Sequence, residues 1–344
     1  MSKKKKKSAL WKNLLILLVT IIIVLLVSEV IFRIVFSIKH RGDWFRKEHD
    51  LDEYLTHVYN DSFRPGIEKY SFDKEDNVFR IAVIGDSFTD ALVEGPVTAL
   101  DYNLSPAIYP IYLEFILDHS FDDYEYEVYN FGVSGSLTLD QYFVLKEFAM
   151  DYNPDFVIVQ TADNDLDYRM FNLDPFEYCD INASFSEKTL YLLCKNWKLF
   201  GYLYPNLVRK FGLYDGYYYN NDYYINYINR NNPVNVRCYV TSIYRLNSLL
   251  EEKEIPNLVF FIDPPNGNRT FFNEIFSSAG FEYVVTNHNL HGNYPSFLAS
   301  DGFHYNANGN LILAKDIFNY MLMNEMIPSC ENYDCTSKLI EVKV

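Results

Sequence analysis

The alternation of short apolar runs with helix-spaced segments constrains this chain most. Residues 79–84, 124–133 and 155–160 read as strands, and residues 106–121 and 139–152 between them carry apolar side chains at helical spacing. The pattern resumes with a helix over 236–253, strands at 257–262 and 283–286, and a last helix over 307–326. Strand following helix at this pitch implies a parallel sheet, because each crossover lays a helix on one face or the other. Right-handed crossovers then cover both faces. The expected fold is α/β, a three-layer α/β/α sandwich on a five-stranded parallel sheet. With 344 residues, 49% of them hydrophobic, the chain has ample material for that core.

Ahead of this domain, residues 14–32 are apolar except for Thr20, Ser28 and Glu29, and about 20 such residues cross a bilayer as a helix. The five lysines Lys3 to Lys7 precede the run, which places the amino terminus in the cytoplasm and the rest across the membrane. A cleaved signal peptide competes with this reading. After Val27, however, the chain continues Ser28-Glu29-Val30-Ile31 with no small-residue cleavage pattern, so an uncleaved anchor is expected. Glu29 and Arg33 lie four apart and can pair on the helix. The expected organisation is a basic tip and transmembrane anchor at 1–36, a juxtamembrane segment at 37–77, an extracytoplasmic domain at 78–328 and a tail at 329–344. The domain would lie in the periplasm or outside the cell. Between 166 and 235 the alternation gives way to an insertion dense in tyrosine and asparagine, expected to wall the domain's ligand face. Net charge is −16, and residues 1–36 hold seven basic groups against one acid, so the domain is strongly acidic. Nucleic acid is excluded as a partner on that ground.

The residues able to do chemistry fall at strand ends. The first strand stops at Gly85, followed by Asp86-Ser87-Phe88-Thr89. A serine here is well placed as a nucleophile beside turn N–H groups, although a helix cap has the same address. The second strand leads into Asn130-Phe131-Gly132-Val133-Ser134-Gly135, and the third into Ala162-Asp163-Asn164-Asp165. Just before the last helix stands Asp301-Gly302-Phe303-His304. A carboxylate three residues from a histidine can hold the imidazole so that its other nitrogen acts as a base. Ser134 fails the nucleophile-elbow pattern, which wants glycine where Ser136 stands. His288 and His291 lack a cysteine or carboxylate at ligand spacing, so no metal or other cofactor is expected.

In this order the four blocks resemble the SGNH hydrolase superfamily, the GDSL-type esterases. The matching residues are Gly85-Asp86-Ser87, Asn130 with Gly132 and Gly135, Asn164-Asp165, and Asp301 with His304, and the likeness spans about residues 78–324. The resemblance implies the flavodoxin-like fold of that superfamily, with Ser87 as nucleophile, His304 as base and Asp301 as its orienter. It also implies an oxyanion hole from the N–H groups of Ser87 and Gly135 and the side-chain amide of Asn164. Two departures stand out: Ala162-Asp163 replaces the glycine usual before the asparagine, and Thr89-Asp90-Ala91 lacks a glycine common in anchored members.

The function expected from these blocks is a membrane-anchored serine esterase removing acetyl or other short acyl groups, with an acylated carbohydrate or small ester as substrate. An O-acyltransferase using the same triad, a lysophospholipid esterase and a non-catalytic glycan-binding protein are the alternatives. Tyrosine faces in the insertion can stack on sugar rings, or simply pack. Five cysteines suggest disulfides outside the cytoplasm. The expected pairs are Cys330 with Cys335 and Cys179 with Cys194, leaving Cys238 free and buried in a helix.

Overall fold

The protein is described here by a computed structural model covering residues 2–39, 51–52, 55, 71–90, 108–162, 165, 173, 175–179, 185, 188–189, 192–193, 233–262, 269–281, 283–285, 297–299, 304–331 and 334–340. The strands are β1 Val78–Gly85, β2 Glu125–Gly132, β3 Phe156–Ala162, β4 Asn257–Ile262 and the short β5 Tyr283–Val285. They form one five-stranded sheet in the order β2-β1-β3-β4-β5, and every pairing is parallel. The helices are α1 Ser2–Lys39, α2 Tyr109–Ser120, α3 Thr138–Glu147, α4 Pro233–Glu252, α5 Arg269–Ser278 and α6 Ala307–Met323.

Helices lie on both faces, which is why the strands are apolar along their length rather than alternating. On one face α2 packs against α6. There Ile81 and Val83 of β1 meet Tyr109, Leu113 and Leu117 of α2 and Ile317 and Phe318 of α6 in one buried cluster. Ala82 and Ile84, also buried, point to the opposite face by the two-residue period of a strand, where α3 packs on α4 and α4 on α5. Arg80 is buried but paired: its Nε donates to Glu127 Oε2 at 2.7 Å, and its guanidinium lies 4.7 Å above the Tyr129 ring. A buried cation is tolerable only with such partners.

Two of the helices are shorter than the apolar spacing suggests. Residues 139–152 divide into α3 and a 3-10 turn, Ala149–Tyr152, that closes on Asn153 in the left-handed region (φ 51°). The last helix stops at Met323, before Glu325 at φ 54°. The tail is part of the domain's packing. Ser329 is hydrogen-bonded to Tyr126 on β2 (2.5 Å) and to Asp123 (2.6 Å), and Ile340 exchanges two backbone-to-amide bonds with Asn319 of α6.

The chain divides into two compact units: residues 47–182 with 217–344, which hold the sheet, and residues 1–46 with 183–216. In the second unit, the 22-residue Trp11–Phe32 segment of α1 is long and apolar enough to cross a membrane. Its side chains are exposed for most of that length, but Glu29 is only 6% exposed. The Arg33 side chain, its expected partner, lies outside the described residues, as does most of the 166–235 insertion.

One disulfide differs from expectation. Cys330 pairs with Cys335, but Cys179 pairs with Cys238, 59 residues away, and Cys238 is not free. Nearness in sequence favoured Cys194, which lies outside the described residues. In the fold, the helical turn Pro175–Tyr178 packs on α4, bringing Cys179 against the helix face that carries Cys238. Arg245 of α4 also donates to the Tyr178 carbonyl. Peptide mapping of non-reduced protein should therefore recover the Cys179–Cys238 and Cys330–Cys335 cross-links, with Cys194 alkylatable once the chain is denatured without reductant.

Candidate active site

At the carboxyl end of β1, Gly85 runs into a tight turn. The N–H groups of Thr89 and Asp90 both donate to the Asp86 carbonyl (3.1 and 2.9 Å), and the Phe88 N–H donates to Asp86 Oδ1 (2.9 Å). Asp86 therefore closes the turn with its main chain and its side chain, and Ser87 is carried at the tip, partly exposed. This is the edge of the sheet where the strand order reverses between β1 and β3, the usual place for a site in such a fold.

Gln160, near the end of β3, holds the turn from below. Its Oε1 accepts from the Asp86 N–H (2.9 Å) and from Thr89 Oγ1 (3.0 Å), and Thr89 Oγ1 also meets Tyr109 Oη at 2.8 Å. Burial, more than any other cause, pushes the Tyr109 hydroxyl well above its ordinary range, so it remains neutral. The approach is so close that a Cβ on Gly85 would lie 2.0 Å from Thr89 Oγ1 and 2.5 Å from Gln160 Oε1. Only glycine fits there.

The loop after β2 is bound to the same strand end. The Val133 N–H (2.9 Å) and Ser136 Oγ (3.0 Å) both donate to the Gly85 carbonyl, and the Ser134 N–H donates to Asp90 Oδ2 (3.0 Å). Asn130 clamps the join: its Nδ2 donates to the Thr89 carbonyl (2.8 Å) while its Oδ1 accepts from the Gly132 N–H (2.8 Å). Asp90, a departure from the glycine expected in that region, thus acts as a tie to the second block. Gly135 sits in this loop at φ 70°, a conformation that glycine adopts without strain.

Across the sequence, His304 meets this turn. Its Nε2 is 2.7 Å from Ser87 Oγ, joining residues 217 apart in the chain. The histidine is held by the backbone on either side of it. Its carbonyl accepts from the Ala299 N–H (2.7 Å), Leu298 and Tyr305 form an antiparallel bridge, and the Asn306 N–H donates to the Phe297 carbonyl (2.9 Å). Asn306 also caps α6 by accepting from the Asn308 and Gly309 N–H groups. The Phe88 ring packs against the His304 ring, with centroids 5.1 Å apart.

Asp301, Asn164 and Asp163 lie outside the described residues, as do His288 and His291. The structure therefore brings Ser87 and His304 together and places Gly135 in the adjoining loop. Among the described residues no cluster of three or more His, Cys, Asp or Glu side chains is arranged to hold a metal.

Two buried side chains were not singled out from the sequence as site residues. Gln160 was legible only as the amide that closes an otherwise apolar strand. Asp165 followed the asparagine of the third block, but its role was not. Its Oδ2 accepts from Thr161 Oγ1 (2.5 Å), Thr138 Oγ1 (3.0 Å) and the Ala162 N–H (3.1 Å), while Oδ1 is buried and unpaired. Burial first, and then the neighbouring Asp86 charge, hold its carboxyl well above the ordinary carboxylate range. The folded protein thus binds this proton more tightly than the unfolded chain does, so the group's stabilising contribution is full below about pH 4 and declines as pH rises toward the folded value.

Asp165→Asn keeps the acceptor and removes the ionisation, so its stability relative to wild type should rise with pH above about 4, by at most about 1.4 kcal/mol per pH unit. Thermal unfolding at stepped pH reads the difference, and parallel curves would contradict the assignment. Gln160→Leu leaves the Asp86 N–H without its acceptor and should cost about 1–3 kcal/mol in the same assay.

No family model matches the chain, and no curated protein matches it. Solved structures do. A Desulfitobacterium hafniense DCB-2 protein ascribed to the lipolytic G-D-S-L family is 12% identical, with 69% of this chain and 97% of that one covered at a TM-score of 0.38. A catalytic mutant of an acetylxylan esterase from Geobacillus stearothermophilus is 18% identical, covering 70% and 92% at 0.39. The psychrotrophic esterase EstA from Pseudoalteromonas sp. is 13% identical, covering 73% and 100% at 0.42. The chain is thus similar in structure to a lipolytic protein of the GDSL kind and to two esterases.

Proposed function

We propose that this protein is a membrane-anchored serine esterase of the SGNH type, removing acetyl or other short acyl groups from a carbohydrate. The observation that carries the reading is the 2.7 Å hydrogen bond between Ser87 Oγ and His304 Nε2 at the carboxyl end of β1. A serine cap needs no histidine, and a core histidine needs no serine on a turn tip. With Nε2 unprotonated, the Ser87 hydroxyl donates to it and is ready to lose its proton as Oγ attacks an acyl carbon.

The steps are then those of acyl transfer through a covalent intermediate. Oγ bonds to the carbonyl carbon, His304 takes the proton, and the carbonyl oxygen becomes an oxyanion. The N–H groups of Ser87 and Gly135 and the Asn164 amide are the donors proposed for that charge, with Asp301 orienting His304 from its other nitrogen. Collapse of the intermediate breaks the ester bond, and the leaving alkoxide receives the proton from His304. Water, deprotonated by the same imidazole, then attacks the acyl-enzyme and frees Ser87 with a carboxylic acid product.

A carbohydrate carrier is supported by the tyrosine-dense run at 217–224 within the insertion, whose aromatic faces suit sugar rings. It is also the class named for the acetylxylan esterase. The anchor reading rests on the apolar helix and the lysines before it, and puts the sheet domain on the extracytoplasmic side.

Full-length protein in detergent should hydrolyse p-nitrophenyl acetate and acetylated oligosaccharides and be labelled at Ser87 by a serine-directed phosphonate. Ser87→Ala should lower turnover by on the order of 10⁶-fold, the scale of removing a triad nucleophile. Asn164→Ala should lower it by about 10²–10³-fold through loss of one oxyanion donor. An unlabelled Ser87 together with undiminished hydrolysis in Ser87→Ala would sink the proposal.

A further inference from the structure

The loop after β2 carries the Gly135 N–H that the proposed chemistry needs, and its form is a defined turn. The Ser136 N–H donates to the Val133 carbonyl (2.9 Å) and closes Val133-Ser134-Gly135-Ser136. Gly135 has φ 70°, while positive φ outside glycine occurs among the described residues only at Asn153, Glu254 and Glu325, so φ at Ser134 is negative. Negative φ at the second residue and positive φ at the third is the pattern of a type II turn, whose second residue is extended with ψ of about +120°. Extended backbone turns a residue's own N–H and the next one to opposite sides, whereas helical backbone aligns them. The Ser134 and Gly135 N–H groups therefore face different ways.

The Ser134 N–H is taken by Asp90 Oδ2 at 3.0 Å. Other contacts hold the corners of the turn: the Val133 N–H (2.9 Å) and Ser136 Oγ (3.0 Å) both donate to the Gly85 carbonyl. Because both end on one oxygen, they make a pivot and leave the tilt of the turn about it open. A point off that pivot sets the tilt, and Asp90 supplies one at the tip. Asp90 is 4% exposed, and its N–H donates to the Asp86 carbonyl (2.9 Å), so it stands one helical turn past Asp86 on the segment that carries Ser87. A Cβ on Gly132 would lie 2.7 Å from the Asp90 nitrogen, so closely do the two strand ends approach. Asn130 joins them again by donating to the Thr89 carbonyl (2.8 Å). The turn that bears the nucleophile and the turn that bears Gly135 are thus connected over a short path, through the Asp90 side chain.

On the serine-esterase reading of Ser87 and His304, on which this inference rests, we propose that Asp90 is a positioning residue of the oxyanion hole. Its Oδ2 holds the Ser134 amide, and the Gly135 N–H, on the other side of the turn, is thereby set against the oxygen that becomes negative when Ser87 attacks. The same arrangement keeps the Asp90 carboxyl group off the side where that charge develops, so an acid beside the hole does not oppose it. Asp90 acts through Ser134 and Gly135 and not on the substrate. A donor fixed before the reaction needs no reorganisation when charge appears, which is why small displacements of such groups slow turnover steeply.

The test follows p-nitrophenyl acetate hydrolysis by full-length protein in detergent, as wild type, Asp90→Ala, Ser134→Pro, their double variant and Asp90→Asn. Asp90→Ala removes the acceptor. Ser134→Pro removes the donor, and proline followed by glycine suits a type II turn. Each should lower kcat by about 10²-fold with KM little changed, because the lost interaction serves the transition state. The double variant should lose the same factor as either single one, since all three lack one and the same bond. Asp90→Asn, whose amide oxygen still accepts, should keep most of the wild-type kcat. Rates are read where circular dichroism shows each variant folded, so a loss of stability alone leaves kcat unchanged. If Asp90→Ala does not fold, the double variant, which removes both partners at once, carries the same expected result. Unchanged kcat, losses that multiply in the double variant, an effect confined to KM, or an Asp90→Asn protein as impaired as Asp90→Ala overturns the proposal and leaves the esterase standing. Wild type that neither hydrolyses the ester nor is labelled at Ser87 by a phosphonate removes both.

Discussion

A single buried amide oxygen, Gln160 Oε1, carries the geometry on which the site depends. It receives the Asp86 N–H and the Thr89 hydroxyl from the turn that follows β1, and so fixes that turn to the end of β3. The contact lies between the two strands where the sheet order reverses. A buried acceptor left without its donors costs more than the bond itself contributes, so the turn has one favourable position. Ser87 inherits that position because it lies between Asp86 and Thr89 in the chain.

Around this amide the other constraints agree. Gly85 admits the Thr89 and Gln160 side chains where a Cβ would collide with both. Gly132 does the same for Thr89 and the Asp90 backbone on the neighbouring strand end: a Cβ there would lie 2.7 Å from the Asp90 nitrogen. Asn130 and Asp90 then tie the loops after β1 and β2 to each other. Close backbone approach, a buried acceptor and paired loop bonds all specify the same arrangement, which is the consistency expected of a uniquely folded site. His304 arrives from another part of the chain, on a loop held by the Leu298–Tyr305 bridge and by the Asn306 cap of α6.

Where sequence reading and structure part company, the cause is long-range packing. The pairing of Cys179 with Cys238 follows from the Pro175–Tyr178 turn docking on α4, and no local sequence pattern announces a partner 59 positions away. Asp165 stood in a recognisable block, yet its raised pKa depends first on burial and then on the charge of Asp86, which the turn after another strand supplies. The tail after α6 read as a separate piece. Its attachment through Ser329, Tyr126 and Asp123 is visible only once β2 and the tail share an edge.

The sequence by itself determined the parallel α/β sandwich and the membrane-length apolar helix, and it placed Ser87 at a strand end, while the meeting of Ser87 with His304 was implied only by the resemblance to the SGNH hydrolases. Strand and helix periods, hydrocarbon length and residues placed at strand ends are local properties, and topology converts them into position. Tertiary structure alone decided the roles of Gln160 and Asp165, the disulfide partner of Cys238, and the grouping of residues 183–216 with the apolar helix rather than the sheet. Each depends on which surfaces come to bury one another, and burial is a property of the assembled packing that no short stretch of chain contains.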